Sequence, residues 1–251
     1  MTGQRTKRRG AARARSAGDA GLTRDAIVEG ALELIEREGA GALTMRRLGA
    51  ELQVDATAFY RHFRDKDDLV LACMDRAEHL AYEVVVPRIG SSSWQDVLRA
   101  IADETWTVAS TYPAVYAEAF PRTTGGPGER KMVELLLSTV AGLGLDRGTT
   151  VLLYRAYADC LLSLSGARAT MQRLGPDAVA KDASAWGRIY AVLPEAEYPA
   201  ARMHAAELGA VTDREIFDRV VEALIATMEA AAAAAGRATD PDRRPPDGQP
   251  R

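Results

Sequence analysis

Residues 55–70, DATAFYRHFRDKDDLV, decide how the N-terminal part of this 251-residue chain is interpreted. Phe59 and Phe63, four residues apart, are the only side chains of the short segment before the charge run that look suited to a core. A dense charge run follows at 65–68, and an apolar helical pattern then resumes. The side chains before the charge run that can donate hydrogen bonds include those of Thr57, Tyr60, Arg61 and His62.

The flanking sequence predicts two further helices. The first runs from about Thr23 to Glu38 and ends at Gly39, and the second begins at Thr44. Two short helices separated by a tight turn and braced by an earlier amphipathic helix form a helix-turn-helix. The second helix of that motif enters the DNA major groove, so its outer face must be polar. Residues 56–62 meet this requirement and are predicted to be the recognition helix.

The run TMRRLGAELQVDATAFYRHFRDKDDL, residues 44–69, resembles the signature of the tetracycline-repressor (TetR) family. The close similarity covers residues 22–80. EYPAA at 197–201 and DREIFDRVVEALIA at 213–226 resemble the C-terminal domain of the tetracycline-repressor branch. The resemblance implies an N-terminal three-helix DNA-binding domain and a C-terminal helical domain for ligand binding and dimerisation.

The resemblance also implies DNA contacts at particular positions. Arg46 falls where that branch places an arginine that reads guanine, and the guanidinium fork suits both acceptors of that base. Ala56 and Thr57 match groove-facing positions. Arg61 is left open between a DNA contact and a solvated charge. The positions that match phosphate contacts are Thr44, Tyr60, His62 and Lys66, the last at a helix N-terminus that can share the phosphate.

Gln53 departs from the family pattern, which commonly has glycine after the leucine of the turn. If the turn requires positive φ, a residue other than glycine costs on the order of 1 kcal/mol. The alternative is a slightly different turn, which would change the angle of the recognition helix.

The rest of the chain shows helical periodicity and no strand or hairpin pattern, so the predicted fold is all-α. The predicted organisation is a disordered basic arm at 1–20, the helix-turn-helix domain at 21–66 and a connecting helix at 67–90. A ligand-binding and dimerisation domain at 91–236 and a disordered tail at 237–251 complete it. Further helices are predicted near 94–110, 112–120, 127–144, 147–172, 177–192 and 213–235.

Charge and cysteine usage narrow the class of protein. The net charge is only −3, yet residues 1–18 carry six basic side chains and no acid. That arm suits phosphate binding, and the alternative is a solubilising tail. Cys73 and Cys160 lack disulfide spacing, and no signal peptide or membrane span is recognised, which favours a cytoplasmic protein with no membrane partner.

The final predicted helix has an apolar stripe too broad for packing on one side. A helix with two buried faces suggests a bundle shared between subunits, with the helix at 147–172 as its partner. Two-fold symmetry would then separate two recognition helices by about 34–36 Å, which matches a palindromic operator. The predicted dimer-interface residues are Leu161, Phe217, Val220, Val221, Leu224 and Met228.

Aromatic residues concentrate in the larger domain and are interpreted in two ways. They are either ordinary core or the walls of a pocket for an aromatic ligand. Asp159 and Arg155 form either an ion pair or the polar groups of that pocket. The predicted ligand-binding residues are Trp106, Tyr112, Tyr116, Phe120, Tyr154, Tyr157, Asp159 and Trp186.

The predicted function is a dimeric DNA-binding regulator, a repressor released from a palindromic operator by a small hydrophobic or aromatic ligand. The alternative is a DNA-binding dimer, an activator or architectural protein, without an inducer. An enzyme is not expected, because no nucleophile elbow, phosphate loop or His–Cys pair occurs. No metal or other cofactor is expected. Tetracycline is disfavoured because the members that bind it use a histidine for magnesium, and residues 80–203 contain none.

Overall fold

A computed structural model describes residues 22–39, 42–120 and 122–238. Within these ranges every regular element is a helix, which confirms the all-α prediction. The predicted basic arm at 1–20 and residues 239–251 of the predicted tail lie outside the described residues. No helix in the described ranges is both long and apolar enough to cross a membrane.

The N-terminal part contains α1 (Arg24–Glu38), α2 (Met45–Leu52), a 3₁₀ helix (Ala56–Arg61) and α3 (Lys66–Val85). The 3₁₀ helix is called the recognition helix below. A 3₁₀ turn, Val86–Arg88, follows α3. The larger C-terminal part contains α4 (Trp94–Thr111), α5 (Pro113–Ala119), α6 (Pro127–Ala141), α7 (Arg147–Gln172), α8 (Pro176–Tyr190), α9 (Pro199–Met203), α10 (Ala205–Ala210) and α11 (Asp213–Ala238).

Side-chain caps start most of the helices that position the N-terminal unit. The hydroxyl of Thr23 accepts from the N–H of Ala26 at 3.2 Å, and that of Thr44 accepts from Arg47 at 3.1 Å. The carboxylate of Asp65 accepts from the N–H of Asp68 at 2.9 Å. Each cap satisfies a donor that the first turn leaves without an intrahelical partner. Locally encoded caps therefore set where α1, α2 and α3 begin.

Two clusters of buried apolar residues form the core. The first joins α1, α2, the recognition helix and α3 to the end of α4 and to α5. The second lies among α4, α6, α7 and α11. Met132 of α6 packs against both clusters. The helix-turn-helix unit therefore shares its core with α5, and the predicted connecting helix, α3, is buried between the two parts.

The backbones of α3 and α6 approach each other closely. A Cβ added at Gly128 would collide with the carbonyl oxygen of Asp75. The Asp75 carboxylate accepts from the N–H of Glu129 at 2.9 Å and from the hydroxyl of Thr124 at 3.2 Å. These contacts join the first turn of α6 to the middle of α3.

The short helices α9 and α10 are not anticipated by the sequence reasoning. Each has at most six residues and none of the long apolar periodicity that identifies a helix. Ala205 is the one buried residue in this pair, and α10 packs against α8. The helical structure of α10 is thus accompanied by packing against α8, which the local sequence pattern does not reveal.

Candidate DNA interface and ligand cavity

Two aromatic anchors hold the recognition helix against the core. Phe59 is 0% exposed and Phe63 is 1% exposed, whereas Tyr60 between them is 58% exposed. The guanidinium of Arg24 lies 4.2 Å from the centre of the Phe63 ring and donates to the carbonyl of His62 at 2.6 Å. Buried rings and this side chain from α1 fix the helix and leave its outer side in solvent.

Asp55 caps the recognition helix. Its carboxylate accepts from the N–H of Thr57 at 2.8 Å and from the Thr57 hydroxyl at 2.6 Å. These two bonds stabilise the charged form and lower the pKa of Asp55 below its usual value. The Thr57 side chain is exposed, so this cap fixes the first groove-facing position in the predicted interface.

The turn between α2 and the recognition helix uses positive φ. Gln53 has φ +56° and ψ +39°, and its N–H donates to the carbonyl of Gly49. Gly49 lies under the same turn, where an added Cβ would be 2.8 Å from the carbonyl oxygen of Val54. The turn therefore keeps the left-handed geometry that glycine commonly supplies in the family.

Gln53 supports a prediction on stability. Gln53→Val should lower the free energy of unfolding by more than about 1 kcal/mol, because a β-branched residue is poorly tolerated at positive φ. Gln53→Gly should stay within roughly 0.5 kcal/mol of wild type, since relief of strain is offset by the entropy of glycine in the unfolded chain. Urea denaturation measures both. Equal stability of the two variants would contradict a strained turn.

Two adjacent arginines in α2 have different surroundings. Arg47 pairs with Glu38 of α1 and, at 3.4 Å, with Glu51 of α2. The guanidinium of Arg47 is therefore engaged by two acids of the protein itself. Arg46 is exposed and forms no ion pair with the described residues. Only Arg46 keeps an uncommitted guanidinium at the predicted guanine-reading position.

Lys66 is partly engaged within the protein. Its ammonium lies 3.9 Å from a carboxylate oxygen of Glu118 in α5, and Glu118 also pairs with Arg173 at 3.3 Å. The residues predicted to contact DNA all retain accessible side chains. Thr44, Arg46, Thr57, Tyr60, Arg61 and Lys66 are exposed, and Ala56 and His62 are half-buried.

A partly open cavity of about 80 Å³ lies where α3, α4, α5, α6 and α7 meet. Most of its wall is apolar. The carboxyls of Glu78 and Glu129, the hydroxyl of Thr105 and two tyrosines are its polar components. The lining residues are Glu78, Ala81, Ile101, Thr105, Tyr116, Glu129, Met132, Val133, Leu136, Tyr154, Ala158, Leu161 and Leu162.

Glu78 differs from the other polar residues of the cavity in its hydrogen bonding and in its pKa. Its buried Oε2 has no hydrogen-bond partner among the described residues. Burial, followed by the charges of Glu129 and Asp75, raises the pKa of Glu78 to about 8. The Glu129 carboxylate, in contrast, accepts from the Thr124 hydroxyl at 2.9 Å and from the N–H of Gly125.

The structure separates the predicted ligand-binding residues. Tyr116 and Tyr154 line the cavity. Trp106 packs 4.8 Å from the ring of Phe217, and the hydroxyl of Tyr157 donates to the carbonyl of Leu98 at 2.6 Å. The other predicted residues also lie outside the lining. Tyr112 packs on the first core, Phe120 covers Gly166, Trp186 stacks on Tyr190 at the surface, and Asp159 forms an exposed pair with Arg155.

Sequence reasoning missed both carboxyls of the cavity. A signal for Glu78 was present, because it occurs between Met74 and Ala81 on the inward face of α3. An acid within an apolar stripe is uncommon unless it has a partner or a role. No comparable signal marks Glu129, which follows a Gly-Pro-Gly sequence at a helix start.

The predicted dimer residues divide between two environments. Leu161, Phe217, Val221 and Met228 are buried within the single chain, where the second core occupies them. Val220 and Leu224 remain partly exposed. The large apolar side chains that are exposed on α7 and α11 are Val151, Leu152 and Ile216.

The recognition helix follows α2, is anchored by buried aromatic residues and is contacted by α1. This arrangement is characteristic of helix-turn-helix DNA-binding proteins. Residues 27–73 match the family described as "Bacterial regulatory proteins, tetR family". The N-terminal part of the protein is thus similar to TetR-family transcriptional regulators, as the resemblance of residues 44–69 implied. The placement of its C-terminal part in the tetracycline-repressor branch stays a prediction.

Two curated relatives align with the chain. An "HTH-type transcriptional regulator" of Saccharopolyspora erythraea is 34% identical over 126 residues, 50% of this chain and 52% of the relative. The "HTH-type transcriptional repressor DrrR1" of Streptomyces coeruleorubidus is 29% identical over 124 residues, 49% of this chain and 45% of the relative. The chain thus spans about half the length of the curated relatives it matches.

Solved structures extend the likeness to most of the fold. Apo ActR of Streptomyces coelicolor superposes with a TM-score of 0.71 at 22% identity, covering 84% of this chain and 98% of ActR. ActR in complex with actinorhodin gives a TM-score of 0.69 at 21% identity, covering 88% of this chain and 100% of ActR. At this identity the likeness concerns the fold alone.

Proposed function

We propose that the protein is a cytoplasmic homodimeric repressor that a small hydrophobic ligand releases from a palindromic operator. The observation that carries the proposal is the shared core. The anchors of the recognition helix share one packed cluster with Ala81 and Tyr116 of the cavity wall, and Met132 of the wall packs against both clusters. Ligand at the cavity and DNA at the recognition helix would therefore favour different arrangements of the same helices.

The exposed residues of the helix-turn-helix support the DNA-binding part of this proposal. Arg46 offers a free guanidinium, and Thr57 and Tyr60 lie on the accessible side of the recognition helix. Direct base reading requires such side chains at the groove, and phosphate contacts fix the register. DrrR1, named as a transcriptional repressor, supports the choice of repression.

The arrangement of α7 and α11 supports the dimer. These two long helices pack against each other and leave Val151, Leu152 and Ile216 accessible. A second copy would cover these side chains and complete a four-helix bundle with an isologous interface. The exposed Arg155–Asp159 ion pair lies on α7, where it could reach across such an interface.

Ligand release is supported by the cavity and by one structural neighbour. The cavity is largely apolar with a few polar groups, as small-molecule sites are. ActR, which shares the fold, is described in complex with actinorhodin. Reciprocity requires that a ligand favouring the state unable to bind DNA lowers operator affinity.

Arg46→Ala tests the proposed DNA reading against its neighbour Arg47. Operator binding should weaken by roughly 1–3 kcal/mol per half-site contact, with preference relaxed at one base position. The matched variant Arg47→Ala removes an arginine that is held by Glu38 and Glu51, so its effect on base preference should be absent. Selection from randomised operator sequences, followed by titration, measures both.

Two outcomes would contradict this assignment. Equal losses on operator and random DNA would make Arg46 a phosphate contact only. A change in base preference for Arg47→Ala, with none for Arg46→Ala, would place the reading group on the other arginine.

A further inference from the structure

The cavity concentrates acidic groups that have no cationic partner. Glu78, Glu129 and Asp75 lie at or beside it, and none of the three forms a salt bridge with the described residues. Asp75 and Glu129 accept hydrogen bonds from neutral donors only, a hydroxyl and backbone N–H groups. No lysine or arginine is among the lining residues. The negative charge of this region is therefore not balanced locally.

Glu78 has features that packing alone does not explain. Its side chain lines the cavity and its Oε2 is buried and unpartnered, although a buried polar atom without a partner costs free energy. An orphaned carboxyl facing a cavity is a group available to a ligand.

The rest of the cavity wall suits an organic cation. Tyr116 and Tyr154 provide aromatic rings, which attract a cation through the negative charge of the ring face. Met132, Leu136 and Leu161 provide apolar surface for a hydrocarbon body. In a poorly hydrated site the attraction between a cation and a carboxylate is stronger than in water.

We propose that the cavity binds amphipathic molecules carrying a protonated amine, and that Glu78 receives the amine as its counter-ion. The proposal rests on the proposed function, because it names the chemical class of the effector. The amine donates to the carboxylate of Glu78, and the hydrocarbon part lies along the tyrosines and the aliphatic wall. The partly open cavity allows larger members of the class to extend toward solvent.

Binding of a cation at Glu78 should also change the number of protons that the protein carries. The titratable groups facing Glu78 are Asp75 on the same helix, Glu129 on α6, Tyr116 on α5 and Tyr154 on α7. Both carboxylates favour a protonated Glu78 in the free protein, so its proton leaves to solvent when the amine enters. Because the pKa of Glu78 is about 8, nearly one proton should be released per ligand bound near neutral pH.

Calorimetry of the full-length protein with benzylamine, benzyl alcohol and benzoate tests the proposal. The three probes share a ring and differ mainly in charge. Benzylamine should bind saturably and tightest, benzyl alcohol more weakly, and benzoate not measurably. Titrations in two buffers of different ionisation enthalpy should show proton release with benzylamine and none with benzyl alcohol.

Glu78→Gln provides the second arm of the experiment. It should weaken benzylamine binding by about tenfold to a hundredfold, as for a lost charged hydrogen bond, and abolish proton release. Binding of benzyl alcohol should change by less than about threefold. The matched control is Glu83→Gln, an exposed glutamate on the same helix that pairs with Arg76, and it should leave benzylamine binding unchanged.

The outcomes separate this proposal from the proposed function. Absence of saturable benzylamine binding, or equal binding of amine and alcohol, overturns the cation site. If benzylamine released operator DNA from wild type and from Glu78→Gln alike, ligand-controlled repression would stand and the cation site would fall. Glu78-dependent benzylamine binding without any effect on DNA would leave the site standing and remove its regulatory role.

Discussion

Replacing Phe59 with alanine is expected to lower the free energy of unfolding by about 3–5 kcal/mol and to abolish operator binding. The ring is fully buried in the first core cluster, and the helix that carries it has only six residues. So short a helix is not stable on its own and depends on tertiary packing. Removal of the ring leaves a cavity and releases the recognition helix from its seat.

Tyr60→Ala is the matched control, because Tyr60 is the adjacent aromatic residue and its side chain is mostly exposed. Its stability should remain within about 0.5 kcal/mol of wild type, as for surface substitutions, while operator affinity falls moderately. Chemical denaturation and DNA titration distinguish the two variants. A stable Phe59→Ala protein with normal operator binding would mean that Phe59 does not seat the recognition helix.

Leu152→Asp is expected to dissociate the dimer and to reduce operator affinity by about three orders of magnitude, toward the non-specific level. Leu152 is 68% exposed on α7 in the single chain, so the substitution costs the monomer little. In the proposed bundle the same position is covered by the second copy, and an unpaired carboxylate there is strongly unfavourable. A monomer presents one recognition helix and loses the paired half-sites.

Val84→Asp controls for the added charge. Val84 is a valine on α3 with 44% exposure, and its replacement should leave the dimer intact. Sedimentation velocity reports the oligomeric state, and thermal unfolding reports whether the fold is retained. Persistence of the dimer in Leu152→Asp would remove α7 from the proposed interface.

The helix-turn-helix could be predicted from the sequence because its signals are local. Thr44 caps α2 within three residues, and the spacing of Phe59 and Phe63 fixes which side of the recognition helix is buried. The turn at Gln53 could be located but its geometry could not, because a glutamine adopts positive φ only where the surrounding contacts require it.

The cavity and the free face of the bundle could not be predicted in the same way. Tyr154 and Tyr157 lie three residues apart on α7, yet one lines the cavity and the other is buried against Leu98. The apolar stripe of α11, which suggested a subunit interface, supplies Phe217 and Val221 to the core of its own chain. Periodicity identifies an apolar face but not the surface that will cover it.

The close approach of Gly128 to Asp75 has a mechanical consequence. Where two helices meet through side chains, rotamer changes can absorb a small displacement of one of them. Here the backbone of α6 rests directly on that of α3, and the Asp75 carboxylate ties the first turn of α6 in place. Close-packed backbone transmits strain instead of dissipating it. A displacement of α6 at the wall of the cavity should therefore move α3, the helix that follows the recognition helix, by a similar amount.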